Sequence, residues 1–301
     1  MLFLCQFFYA RGGIFLDKNE PFLYLTLKKL KLSLNIETMR STYLINSILK
    51  AARVLALFNE ENRKLRNIDI HRQTGFNKST VMRLLLSLEK VGFVEKDPVA
   101  GEYSIGLGLF EAGSKYLDKT DLHRQAMPLI SELAAKCNET AYLAVLKGQE
   151  AIFLDRVESS KAIKTTSRVG SRVPLYCTGA GKAILAFQEE EQIQNIIKNT
   201  KIKAFTSQTL TEKGKILKNL QEVRQRGWAI DNQEYEEEIK SIGAPLRDRS
   251  GKVIASICLV GPVWLMIDER IKKELAAETV ATARQISQKL GYMANRKTYL
   301  Y

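Results

Sequence analysis

The residues best suited to chemistry on a partner lie between Arg66 and Gly92, in the stretch RNIDIHRQTGFNKSTVMRLLLSLEKVG. Its second half sets Val81, Leu84, Leu85 and Leu88 at i, i+3, i+4 and i+7, the spacing of a helix with one apolar stripe. The opposite stripe is polar. Thr80, Arg83 and Ser87 share it, Lys78 and Ser79 stand at its amino end, and Asn77 occupies the place of an N-cap. An arginine here offers two parallel N–H donors that match a guanine edge, whereas a lysine nearer the helix start is a point charge suited to phosphate. A helix-turn-helix protein presents its base-reading side chains from this part of its second helix. The expected DNA-binding residues are therefore Asn77, Lys78, Ser79, Thr80, Arg83 and Ser87.

Three elements must hold that helix in place. A first helix, with Ile68 and Arg72 one turn apart, is expected to end at Gly75, the residue that tolerates a left-handed exit. A helix over Ser47–Phe58 is expected to pack behind the pair through Ile48, Ala51, Ala52, Leu55 and Phe58. After Gly92, two short apolar-alternating runs flank a turn containing Pro98 and Gly101, which reads as the wing of a winged helix. The plainer alternative is a small helical subdomain with a hairpin and no ligand.

The segment TGFNKSTVMRLLLSLEKVGFVEKD resembles the DNA-reading part of the IclR family of bacterial transcription regulators. The resemblance continues beyond that motif, since GSRVPLYCTGAGKAILAF (170–187), VRQRGWAIDNQEYEEEIKSIGAPLRDRSGKVIASICLVGP (223–262) and ISQKLGY (286–292) look like further signatures of the same family. The resemblance spans residues 41–293. It implies an α+β chain with an N-terminal winged helix-turn-helix domain at 41–106, a linker helix at 107–124 and an effector-binding domain at 125–293. The last is GAF-like or profilin-like, with an antiparallel sheet, and a tail follows at 294–301. Residues 1–40 are an unassigned extension with Met39 as the expected initiator. The resemblance also implies that the helix at 47–58 helps pair two DNA-binding domains.

Composition sets wider bounds. The 301 residues are 45% hydrophobic and 26% charged, enough for two domains with ordinary cores. The net charge of +13 suits nucleic acid, but it is spread. Residues 39–110 carry 11 Lys and Arg against 7 Asp and Glu, and residues 125–301 carry 27 against 20. The motif, more than the charge, argues for DNA. Cys5, Cys137, Cys177 and Cys258 form no Cys-x-x-Cys pair and the only histidines are His71 and His123, so zinc spacing is absent and no cofactor is expected. His71 is expected on a helix surface and His123 in a connecting segment. The separated cysteines read as free thiols of a reduced, cytoplasmic protein, and the apolar N-terminal stretch, interrupted by Arg11 and Asp17, makes a poor signal peptide or membrane span, so no membrane partner is expected.

In the second half, 141–146 and 151–157 read as a hairpin, with further strands at 163–168, 241–247 and 253–260. Helical patterns fall at 107–122, 125–137, 180–187, 189–199, 211–226 and 270–290, the arrangement of a helix-flanked antiparallel sheet. Gly179-Ala180-Gly181-Lys182 is not a phosphate loop, because Tyr176 and Ala183 stand where that motif needs glycine and Ser or Thr. It leaves a glycine-loosened helix start whose backbone amides can accept a carboxylate. The resemblance places Gly179, Ala180, Gly181, Asp231, Ile239, Ser241 and Cys258 at the family's effector pocket, with Glu238 where glycine is usual and Val260 where serine is frequent. A small sugar acid or keto acid suits that set, and RVGSRVPLYCTGAGK looks most like members that sense sugar acids such as 2-keto-3-deoxygluconate. Cys177 has no histidine after it, so no catalytic residue and no enzyme activity are expected. Two-fold symmetry would double a short half-site, which implies a homodimer or homotetramer on double-stranded operator DNA. A constitutive winged-helix protein with a non-functional pocket is the alternative.

Overall fold

The structure is a computed structural model that describes residues 44–59, 62–119, 121–162 and 167–293. The chain divides into two compact units, Met1–Gly113 and Ser114–Tyr301.

The first unit contains α1 (Asn46–Leu55), α2 (Asn67–Thr74), α3 (Lys78–Lys90) and the two-stranded sheet of β1 (Val94–Lys96) and β2 (Tyr103–Ile105). Gly75 closes α2 at φ 71°, a left-handed exit that only glycine makes without strain. Ile70, Val81, Leu85 and Leu88 are buried together with Val54, Leu65, Val94 and Tyr103, so the predicted stripe of α3 is the core stripe. The packing face of α1 differs from expectation. Val54 is its fully buried residue, with Ala51, Leu55, Leu57 and Phe58 beside it, whereas Ile48 and Ala52 face outward. Pro98 and Gly101 lie in the wing turn, where the Asp97 carboxylate accepts the N–H groups of Val99 and Ala100. Helix α4 (Leu107–Lys119) follows the wing.

In the second unit, α5 begins at Asp121 and runs to Cys137, so His123 is helical rather than in a connection. Six strands are ordered β5-β4-β3-β8-β7-β6, every neighbouring pair antiparallel. They are β3 (Thr140–Lys147), β4 (Glu150–Val157), β5 (Arg172–Pro174), β6 (Ala229–Asn232), β7 (Ile239–Arg247) and β8 (Val253–Pro262). Residues 163–166, most of the expected strand at 163–168, lie outside the described residues. Both faces of the sheet are covered. Ala141, Leu143, Ile257 and Leu259 point to α5, a π turn (Ile271–Leu275) and the last long helix, while Tyr142, Ala144, Cys258 and Val260 point to α6 (Gly179–Leu185), α7 (Glu190–Asn199) and α8 (Lys213–Arg226). That alternation explains why the strands read as continuous apolar runs. The C-terminal helical segment is α9 (Asp268–Arg270), the π turn and α10 (Ala276–Lys289).

Candidate functional site

On the first unit, Asn77, Lys78, Ser79, Arg83 and Ser87 are exposed and Thr80 is half-buried, all on or beside the outer face of α3. Asn77 stands at the N-cap, but its side chain makes no cap hydrogen bond. Ser87 donates its hydroxyl to the Arg83 carbonyl at 2.8 Å, so it is partly engaged by its own helix. Arg83 and Lys78 form no ion pair among the described residues. His71 is half-buried, its Nδ1 2.6 Å from the Phe76 carbonyl, and it ties the turn between α2 and α3.

In the second unit, six of the seven expected effector residues converge where α6 meets β6, β7 and β8, with Ile239 at the start of β7 half-buried beside them. Asp231 and Ser241 are opposite residues of neighbouring antiparallel strands, so register alone brings them together. Ser241 Oγ donates to Asp231 Oδ2 at 3.2 Å and accepts the Gly179 N–H at 3.0 Å. Cys258 faces the same cluster from β8, in register with Gly243 and Tyr142. Val260 lies opposite Ser241, where a serine would have added a second hydroxyl.

The glycines here serve close packing. A Cβ on Gly243 would come within 2.1 Å of the Gly179 carbonyl, and one on Gly181 within 2.5 Å of the Pro174 carbonyl. The Gly181 N–H is taken by Thr178 Oγ1 at 3.0 Å, a side-chain cap. Two of the three amides expected to receive a carboxylate are thus already used by the protein. Glu238, which stands where the family usually has glycine, has φ 62°. A non-glycine residue there carries left-handed strain.

Two buried charges join the cluster that sequence reasoning left out. Lys182 on α6 is fully buried and donates to Glu234 Oε1 at 2.5 Å, while Glu234 donates its N–H to Asp231 Oδ1 at 2.7 Å. Glu234 Oε2 is buried without a hydrogen-bond partner. Lys182 has two further ammonium protons to offer. The only sequence signal was a lone lysine inside the apolar run AGKAILAF. Thr209 and Thr206 hydroxyls hold the Glu234 and Gln233 carbonyls at 2.6 Å each, and Phe205 packs edge-on against Tyr235 at 4.9 Å. The segment around residues 205–209 is thereby tied to the chain at Gln233–Tyr235. Burial pushes the Asp231 carboxyl up to about 7, opposed by the Lys182 cation. Burial likewise raises the Cys177 and Cys258 thiols, which makes them poor nucleophiles at neutral pH. A groove of about 690 Å³ between α7 and α8, bordered by Glu191, Lys198 and Lys213, lies elsewhere on this unit and shares none of these residues.

Residues 47–98 match the IclR helix-turn-helix domain and residues 114–288 match the domain described as bacterial transcriptional regulator IclR C-terminal. The chain belongs to the IclR family. It is 32% identical to the HTH-type transcriptional regulator KdgR of Escherichia coli (strain K12) over 248 residues, covering 82% of this chain and 94% of that one. Its fold matches the IclR transcriptional regulator from Alicyclobacillus acidocaldarius with a TM-score of 0.75 at 26% identity, over 83% of this chain and all of the other. An IclR homolog from Microbacterium hydrocarbonoxydans, solved in complex with 4-hydroxybenzoate, matches with a TM-score of 0.71 at 24% identity over 81% and 98%. The chain is therefore an IclR-type, DNA-binding transcription regulator rather than an enzyme. Among the described residues no helix is long and apolar enough to cross a membrane.

Proposed function

We propose that this IclR-type regulator binds a pseudo-palindromic operator in the cytoplasm as a homodimer or dimer of dimers. It reads base edges with Arg83 and Thr80, and positions itself with Asn77, Lys78, Ser79 and Ser87. Operator affinity is set by a small hydroxylated organic acid bound at Asp231, Ser241, Cys258, Ile239 and the Gly179–Gly181 helix start. One observation carries the effector reading: a buried carboxylate oxygen, Glu234 Oε2, is unpartnered beside a buried ammonium group with donors to spare. An unmet acceptor next to an unmet donor suits a ligand that brings both, a carboxylate for Lys182 and a hydroxyl for Glu234. The carboxylate is placed on Lys182 because the Gly179 and Gly181 amides are engaged within the protein. Those engaged amides also favour the second reading, a constitutive DNA binder with a closed pocket.

The test compares gluconate, which has both groups, with hexanoate, which has only the carboxylate, and sorbitol, which has only hydroxyls. Gluconate should raise the unfolding free energy by roughly 2.7 kcal/mol at a hundredfold excess over its dissociation constant and should shift DNA affinity. Hexanoate and sorbitol should do neither at equal concentration. Glu234→Gln, which turns an acceptor into a donor while keeping the shape, should abolish discrimination in favour of the hydroxylated acid. Stabilisation by hexanoate equal to that by gluconate would refute the reading, and no response to any acid would favour the constitutive one.

A further inference from the structure

The DNA-facing side of the first unit carries a second basic feature, on α1 rather than on the recognition helix. Lys50 and Arg53 are three residues apart, so they share one helix face, and both are exposed. Both lie over the ring of Phe76, with Lys50 Nζ 5.6 Å and Arg53 Cζ 5.8 Å from its centroid. Phe76 is the residue just before Asn77, and therefore stands at the amino end of α3. It is held firmly: its N–H donates to Thr74 Oγ1 at 3.2 Å, its carbonyl meets His71 Nδ1, and its ring packs on the core of the unit. Neither cation has a carboxylate partner among the described residues. An aromatic face thus gathers two unneutralised charges beside the end of the helix that enters the groove, without spending either on a counter-ion.

We infer that Lys50 and Arg53, aligned on Phe76, form a phosphate-contacting ledge that grips the DNA backbone alongside the groove read by α3. This rests on the DNA-binding reading of α3 and extends it to a second helix. A duplex entering at the amino end of α3 brings the phosphates that border its major groove past the residues flanking that end. Two cations there contact backbone in any sequence, so the ledge strengthens and orients binding without choosing bases.

Because such contacts are independent of sequence, the test needs no operator. The full-length protein is titrated with a duplex of about 30 mixed-sequence base pairs by fluorescence anisotropy, between about 50 and 200 mM salt. Each phosphate contact contributes about 0.9 to the slope of log affinity against log salt. Lys50→Gln/Arg53→Gln should flatten that slope by about 2 and weaken binding at least about tenfold at the lower salt, with thermal unfolding unchanged. Lys201→Gln/Lys203→Gln removes the same charge from two exposed positions of the other unit and should leave the slope at its wild-type value. A slope that changes equally in both double variants, or in neither, overturns the ledge while leaving the α3 reading intact. A wild-type protein with no affinity for the duplex overturns the α3 reading and the ledge with it.

Discussion

Replacing Asp231 by asparagine should change how stability depends on pH, in a direction that the burial of this carboxyl dictates. The carboxyl is 3% exposed and its pKa is about 7, against 3.8 for an unburied aspartate. A carboxyl raised on folding binds more protons in the native state than in the unfolded one, so its contribution is fully present below about pH 4 and is lost as pH rises through 7. Most of the loss falls between about pH 5 and 7.5 and amounts to roughly 2 to 3 kcal/mol. Carboxylates with lowered pKa, such as Asp248 and Asp268, act with the opposite sign, so the wild-type curve alone is a mixture. The difference between wild type and Asp231→Asn removes them. Guanidinium unfolding followed by tryptophan fluorescence isolates the right unit, because Trp228 and Trp264 both belong to it. The expected result is that the stability gap between variant and wild type moves in the variant's favour by roughly 2 to 3 kcal/mol from about pH 5 to 7.5. An identical pH dependence in the two proteins would refute the claim that Asp231 is held in a desolvated cluster.

Arg83→Ala should cost about 1 to 3 kcal/mol of operator affinity and relax one base position, which selection from a randomised duplex pool would reveal. Lys78→Ala should weaken all sequences alike and lower the salt slope by about 0.9, a measurement made on the same duplexes. Gly179→Val should destabilise the second unit by at least about 1 to 3 kcal/mol in the same fluorescence assay, since even a Cβ would meet Ser241 Oγ at 2.7 Å. The Cys137 thiol is pushed up to about 11 by burial and those of Cys177 and Cys258 are raised as well, so iodoacetamide at neutral pH should spare all three until guanidinium is added, as read by mass spectrometry.

What the sequence made legible follows from how local each signal was. The stripe of Val81, Leu85 and Leu88 was readable because one face of α3 is apolar and the other is not. On α1 the pattern misled, since Ile45, Ile48 and Leu49 are exposed apolar residues that compete with Val54 for the inward face. A helix apolar on two sides does not say which side is core. Strands β5 and β6 went unread because they are the short edges of the sheet, one ending in Pro174 and the other in Asp231-Asn232, residue types that strands disfavour. Asp231, Ser241 and Cys258 were singled out through motif resemblance, and strand register brings the first two together. The Lys182–Glu234 pair was not, as its partners are 52 residues apart and only the packing of α6 on the sheet joins them.

That a small aliphatic hydroxy acid bound in the second unit changes how the first unit holds DNA is the proposal on which the rest depends. It is tested most directly by selecting a tight duplex from a random pool and measuring its affinity for the full-length protein while gluconate, hexanoate, sorbitol and 4-hydroxybenzoate are each titrated in. The expected result is a saturable change in affinity with gluconate that is absent with hexanoate and sorbitol and is lost in Glu234→Gln. A change driven by 4-hydroxybenzoate alone, or gluconate binding that leaves DNA affinity unaltered, would contradict it.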